Sequence, residues 1–520
     1  MTKIKFVSGT PWLLAWPILA SLSTFPTSGP RTVLKLLLIL AMAAWGWWNW
    51  NRPERLIPIR LRWLPIILSI LTVAAFTAMG MLEYANYSNY DSGDIIHYLA
   101  PFYTSTGWLP GAVPLSGRAM LALHSEFLCI PIGWLYKLAP WPMTILIAQG
   151  VSSLTAWVLF RNWLVKRSAD KVSAEWLAFG FALAPCTVGI LLKGFHGVAL
   201  GLPFLVLSAT AYYDGKWRKF LISLCFLLMA KEVFVVSAIS LGTFAIVQRR
   251  SWKWVLVPIA LGLGYGLFLR TWYFPMMLKD STYYYDSFFG GWRAAVARLS
   301  SLEAIQYILR LLLWAGAVSV LRTPFAMLAI PSAGFYLILG NFIDTRSHYF
   351  LEPSFWIFFA MAAGTLENLH QGSNFNPTKE KWLFSFIACM LIMNITLYQD
   401  LPFYRHHKFE KSYREAIVNL PTDASVGLGI ELEDHLFKVH RYYWLRYGGI
   451  STKQPCTWAG EFNLQGGVND YALLFKGFGS AGFLPEEKDR IRHCWAALEK
   501  DTTYKTIWED SLIVLLKKRD

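Results

Sequence analysis

Apolar runs of near-uniform length recur along the first 400 residues. A helix needs ~20 mostly apolar residues to cross the hydrocarbon of a bilayer. About thirteen stretches have that character, at 11–26, 32–50, 63–82, 141–160, 172–192, 195–213, 219–230, 232–247, 253–273, 305–321, 324–341, 349–367 and 382–398. The first is broken by prolines and lacks a small-residue cleavage site, so it is not read as a signal peptide. The run at 127–139 is too short to span and reads as a helix lying in the interface. The pair 219–230 and 232–247 reads as two short helices turning at 229–232, which needs a turn buried in protein or facing a wet cavity.

The pattern changes near residue 399. Short apolar runs at 425–430, 471–475 and 511–516 alternate with polar stretches and a helical pattern at 488–500, as in a small α/β domain. The predicted fold is mainly α: a polytopic transmembrane helical bundle with a small C-terminal α/β domain outside the cytoplasm. Its parts are extra membrane segments at 1–62, a transmembrane core at 63–398 with a large outer loop at 83–140, and the outer domain at 399–520.

Composition supports this division. Hydrophobic residues make up 55% of the 520 and charged residues 16%, with 25 Trp, 24 Tyr and 35 Phe. Soluble proteins carry about 25% charged residues, and Trp and Tyr favour the membrane–water interface. The net charge is +15, yet residues 399–520 hold 17 basic and 17 acidic residues, so the whole excess lies in the first 398. It falls in short clusters: Arg52, Arg55, Arg60 and Arg62; Arg161, Lys166, Arg167 and Lys171; Lys216, Arg218 and Lys219; Arg249, Arg250 and Lys253; Lys379 and Lys381. A cytoplasmic N-terminus puts every cluster inside, as the positive-inside rule asks. That placement accounts for the basic charge without nucleic acid as a partner. The expected location is the cell membrane.

No Walker loop, GxSxG, HExxH or CxxC motif is present, so the ATPase, hydrolase and zinc-site chemistries tied to them are unsupported. Cys129, Cys186, Cys225 and Cys389 lie in apolar runs as packing residues, whereas Cys456 and Cys494 fall in the outer domain, where an oxidising compartment would allow a disulfide.

The candidate chemistry collects on the outer side. Asp91, Asp94 and His97 share a face if the chain turns helical after Tyr90. Two carboxylates and an imidazole suit proton abstraction from an acceptor hydroxyl, or a divalent cation (Mg or Mn) bridging phosphate oxygens. Asp91 as an N-cap with Asp94 in the first turn explains the same spacing. His124 and Glu126 are solvated interfacial groups or line a site. His196 and the Lys231–Glu232 pair sit at outer turns of short helices, either as a local salt bridge or as a rim for an anionic group. Arg346 and His348 reach the same side, Arg346 suited to bidentate phosphate contacts and otherwise an interface anchor. Paired acids beside a basic rim at the bilayer surface suit an enzyme acting on a lipid-linked phosphate. A transporter or lipid-linked-sugar flippase would place such groups within the spans. A non-catalytic assembly protein is the third reading.

Several of these motifs together resemble a known family. Tyr90-Asp91-Ser92-Gly93-Asp94, Leu123-His124-Ser125-Glu126, the interfacial stretch ending at Leu138-Ala139-Pro140, Gln149, Phe195-His196, Lys231-Glu232 and Ser347-His348-Tyr349 occur in the order seen in membrane proteins of domain of unknown function 2079. The tail motif from Leu420 to Val426 is similar too, so the likeness covers roughly residues 80–450. That family is similar to the GT-C glycosyltransferases. The resemblance implies a GT-C-like helical fold, a polyprenyl-phosphate-linked sugar donor in the membrane lipid, and a first-loop acid as general base. Asp91 takes the place of that acid. The family often has an aliphatic residue where this chain has Asp94, which leaves open which aspartate acts, and residues 1–62 add segments ahead of the family's first helix. The resulting expectation is an inverting sugar transfer, with Lys231, His196 and Arg346 holding the donor phosphate as its charge grows.

Overall fold

In a computed structural model of the chain, the described residues are 62–85, 98, 121, 124–139, 141, 143–192, 194–278, 291–314, 323–339, 348–370, 390, 412, 415–416, 418–421, 425–429, 441–445, 471–475, 504–510 and 513–519. The predicted spans at 11–26, 32–50 and 382–398 lie almost wholly outside them.

Uninterrupted apolar sequence becomes helix as expected. The chain forms α1 (Trp63–Ala85), the interfacial α2 (Cys129–Leu138), α3 (Met143–Arg167), α4 (Lys171–Ala182), α5 (Pro185–Leu191), α6 (Leu202–Tyr213), α7 (Trp217–Leu228), α8 (Phe234–Val247) and α9 (Trp252–Phe268). A π turn, Leu269–Tyr273, carries α9 into α10 (Phe274–Leu278), and α11 (Trp292–Leu299), α12 (Leu302–Trp314), α13 (Ala329–Leu339) and α14 (Leu351–His370) follow. Four stretches are long and apolar enough to cross a membrane: Trp63–Leu82, Met143–Arg167, Lys171–Leu191 and Trp252–Met277. Four shorter apolar helices, Gly197–Tyr213, Phe234–Val247, Pro324–Leu339 and Leu351–Leu366, complete the set among the described residues.

Three details differ from the sequence pattern. The run at 172–192 is two helices, because Pro185 cannot donate within a continuing helix and instead starts α5 at its first turn. The stretch 274–304, left between two predicted spans, contains α10 and α11, the latter presenting Trp292 and Val296 outward. The spans opening at 195, 324 and 349 begin with 3-10 turns, Gly197–Gly201, Pro324–Leu328 and His348–Phe350.

The core is aromatic. Phe160 of α3, Phe181 of α4 and Phe355, Phe358 and Phe359 of α14 pack with ring centroids 4.6–6.5 Å apart. Every residue from Phe350 to Ala363 is buried, so this part of α14 is enclosed on all sides, the fate of a helix apolar all round. On the periphery, α1 and α9 expose Ile67, Leu71, Leu256, Leu263 and Leu267. An apolar belt of this kind is costly in water and comfortable in lipid.

The two ends of the bundle differ in charge. At one end Arg161 Nε donates to Glu175 Oε2 at 2.6 Å, with Arg62 3.6 Å from the same carboxylate. Nearby in sequence, Arg167 and Lys216 close on Asp214 at 2.6 and 2.8 Å, and Arg250 stacks 4.0 Å over the Tyr212 ring. Residues of the first four predicted basic clusters thus gather at this end. The opposite end is reached along α3, whose Gln149 lies 12 residues before Arg161, about 18 Å of helix rise.

In the C-terminal region β1 (Ser425–Gly429), β2 (Arg441–Leu445), β3 (Tyr471–Phe475), β4 (Tyr504–Glu509) and β5 (Ile513–Lys518) form a mixed sheet of order β2-β1-β3-β5-β4. β1 pairs in parallel with β2 and β3, and β5 runs antiparallel to β3 and β4. The three apolar runs expected to be strands are β1, β3 and β5. The helical pattern at 488–500, Cys456 and Cys494 lie outside the described residues.

Candidate functional site

The turn between α7 and α8 falls at 229–233, where two short helices were expected. It carries Lys231 and Glu232, both buried. These neighbours reach different partners. Lys231 Nζ lies 3.1 Å from Glu126 Oε1, and Glu232 Oε1 lies 2.6 Å from His124 Nδ1. The second oxygen of Glu232 accepts the Ser125 N–H at 2.9 Å and the Ser125 hydroxyl at 3.3 Å. The backbones are joined as well, Leu128 N donating to Met229 O at 3.2 Å. A Lys–Glu ion pair and a His–Glu hydrogen bond therefore cross to seat the end of the first outer loop on this turn. Of the two readings of the turn, the local Lys231–Glu232 salt bridge gives way to contacts between segments.

A third segment closes the cluster from the other side. Gln149 on α3 is buried; its amide nitrogen donates to Ile190 O and, at 2.8 Å, to Gly194 O, and its oxygen accepts the His196 N–H at 2.9 Å. One side chain thereby holds the whole turn from α5 to His196. Gly194 adopts φ +71° there, a conformation that costs a glycine little. Next to His196, the Gly197 N–H donates to the Tyr98 hydroxyl at 3.2 Å, and that hydroxyl donates to Glu126 Oε2 at 2.6 Å. A Cβ at Gly197 would come within 2.4 Å of Glu126 Oε2 and 2.8 Å of Cys129 Sγ, so any other residue would have to displace the buried carboxylate.

The electrostatics follow from burial and pairing. Burial pushes the Glu232 carboxyl up, but the charge and hydrogen bond of His124, the Lys231 ammonium and the Ser125 N–H outweigh it and hold the group at about 2. Burial, with Glu126 beside it, drives the Tyr98 phenol well above its ordinary range. The Cys129 thiol is pushed up by burial and by Glu126, so it is an inert thiol.

Glu232 gives a testable pH dependence. Its native value lies below the ordinary 4.5, so its contribution is complete above 4.5 and is lost as the pH falls through about 2. The gap is worth about 3 kcal/mol. The melting temperature of the purified protein should drop between pH 5 and pH 2 more steeply than that of Glu232→Gln. Parallel curves would refute the pairing.

Of the ten residues singled out in the sequence, the structure brings together His124, Glu126, His196, Lys231 and Glu232. His348 opens the 3-10 turn before α14. Asp91, Asp94, His97 and Arg346 lie outside the described residues. Sequence reasoning missed Tyr98, Ser125 and Gly197 as site residues, and gave Gln149 no role. The available signal was adjacency: Tyr98 directly follows His97, and Ser125 separates His124 from Glu126.

The described helices define the class: a polytopic membrane protein with an ArnT-like helical fold. The comparison behind this is with ArnT from Cupriavidus metallidurans bound to undecaprenyl phosphate, with a TM-score of 0.52 at 11% identity, over 85% of this chain and 97% of that one. The apo state of the same protein gives 0.48 over the same shares. The family described as predicted membrane protein DUF2079 matches residues 103–427, and the chain belongs to it. No curated protein matches the chain.

Proposed function

We propose that this protein is an integral-membrane glycosyltransferase that moves a sugar from a polyprenyl-phosphate donor to an acceptor on the extracytoplasmic face, with inversion. Asp91 or Asp94 removes the proton from the acceptor hydroxyl. His196, Lys231 and Arg346 serve the donor phosphate, with His97, His124, Glu126, Glu232 and His348 around them, and the polyprenyl chain lies against the helices. The observation that carries this reading is the knot of buried polar groups at one end of an ArnT-like bundle, drawn from three separate chain segments. Buried charge in a membrane protein is costly and marks function more often than architecture.

The acids near the spans argue for an enzyme over a transporter. Glu175 is paired with Arg161 and Arg62 at the basic end, and Glu232 is bonded to His124 at the other. Glu352 stands at the start of α14, where it accepts the Ser237 hydroxyl. A divalent cation, Mg or Mn, would sit with Asp91 and Asp94; among the described residues no group of three His, Cys, Asp or Glu side chains is arranged to hold a metal.

The test is transfer of labelled sugar from polyprenyl-phosphate donors in membranes with and without the chain. Transfer should depend on the chain. Absence of transfer from every common donor, with translocation of lipid-linked sugar in its place, would sink the reading.

A further inference from the structure

Two neighbouring turns at the basic end are built alike and filled differently. At the end of α6 the Gly215 N–H donates to Tyr212 O and the Lys216 N–H to Ala211 O, with Gly215 at φ +70°. At the end of α8 the Arg249 N–H donates to Ile246 O and the Arg250 N–H to Ala245 O, with Arg249 at φ +52°. This pair of bonds closes a helix on a left-handed residue, a place that glycine usually fills because it has no Cβ. The first turn follows that rule. The second carries arginine against the preference of the backbone, so what the position supplies is a side chain.

That side chain is exposed and, among the described residues, meets no acceptor. Its surroundings are cationic. Arg250 Nη1 donates to Tyr212 O at 2.6 Å, which ties the two turns together. Lys253 Nζ lies 5.7 Å from the centre of the Trp217 ring, and Trp217 meets Trp254 with centroids 5.0 Å apart, so the first turns of α7 and α9 stand side by side. Those turns add Arg218, Lys219 and Lys253 to Arg249, and all four are exposed. The acid of these turns, Asp214, is already spent on Arg167 and Lys216.

Next to the cations the surface is apolar. Ile222 lies four residues from Arg218 and three from Lys219, Phe226 four residues further on, and Leu256 three residues from Lys253; all three are exposed. Residues at these spacings share a helix face, so each basic turn tops a stripe suited to hydrocarbon. Trp217 and the exposed Trp252 stand at the boundary, where such rings settle. We propose that Arg218, Lys219, Arg249 and Lys253 form a site for an anionic phospholipid of the leaflet at the basic end. The headgroup phosphate meets the guanidinium and ammonium groups, and the acyl chains lie along α7 and α9. The site is at the other end of α7 from Lys231 and is independent of the glycosyltransferase reading.

The test uses the full-length protein in a non-ionic detergent, with phosphatidylglycerol, phosphatidylcholine or inorganic phosphate added. Binding is followed by native mass spectrometry and by melting temperature. Phosphatidylglycerol should raise the melting temperature and bind about tenfold more tightly than phosphatidylcholine, while phosphate alone does neither. Arg249→Gly separates the side chain from the fold. Glycine suits the left-handed turn, so without lipid this variant should melt at or above wild type, yet its affinity for phosphatidylglycerol should fall about fivefold. The triple variant Arg218→Gln, Lys219→Gln, Arg249→Gly should no longer discriminate between the two lipids. Equal affinity of the wild type for both lipids overturns the proposal, and so does wild-type affinity in the triple variant. Arg249→Gly melting below wild type without lipid would give the side chain a structural task and overturn it as well. Stabilisation by inorganic phosphate equal to that by phosphatidylglycerol would make this a seat for a free anion and overturn the lipid assignment.

Discussion

Lys231→Met is expected to destabilise the protein by about 3–5 kcal/mol, the usual cost of removing one partner of a buried ion pair. The magnitude follows from burial on both sides. The side chains of Lys231 and Glu126 are 3% and 2% exposed, so the abandoned carboxylate has no route to bulk water. Among the described residues its other close contacts are the Tyr98 hydroxyl and the Cys129 thiol. Neither carries the charge that would offset desolvation. The double variant Lys231→Met, Glu126→Gln should recover more than half of the loss, because no buried charge is left and the amide oxygen still accepts from Tyr98. Thermal melting in detergent checks both. A single variant that melts with the wild type would mean that the pair is solvated, and the enclosed cluster would have to be abandoned.

Sugar transfer by the Asp91→Asn, Asp94→Asn double variant should fall by about 10²–10⁴, the range over which a positioned general base acts. Asparagine is the informative replacement. It caps a helix about as well as aspartate, so it preserves the structural role that the spacing also permits and deletes only the basicity. If the acids were caps alone, the double variant would transfer at the wild-type rate. The single variants then apportion the role: the true base should account for most of the loss, and the other aspartate for little. Accumulation in the membrane and melting temperature should be unchanged throughout.

Much of the bundle was legible in the chain because one physical requirement, ~20 apolar residues per crossing, writes itself locally. The α7–α8 turn could be placed because Lys231 and Glu232 interrupt an apolar stretch that would otherwise read as one helix. The break in the run at 172–192 was also local, in Pro185, but length and hydropathy masked it. The site was legible only as a set of residues on one side. Its wiring was not, since the bonds that make it join positions 28, 47, 99 and 108 apart in sequence. No spacing rule tells Lys231 to choose Glu126 over its neighbour Glu232. That choice depends on which backbones come to lie side by side, and here the Leu128–Met229 contact decides it. Gln149 shows the same limit: nothing near it in sequence reveals that its amide will hold a turn more than forty residues away.

The enclosure of α14 from Leu351 to Ala363 also bears on how the molecule is made. Among the described residues, α3, α4, α6 and the 3-10 turn at 324–328 pack against it, and each is synthesised before it. When Phe355 and Phe359 leave the ribosome, their partners Phe181 and Trp163 are already in the bilayer. Until then those rings face lipid or one another across an unfilled groove. Domains fold in the order in which they are translated, so the late helix acts as a keystone. A nascent chain stopped short of residue 350 would hold the core residues of α3, α4, α6, α7 and α8 without the buried rings of α14 that pack among them.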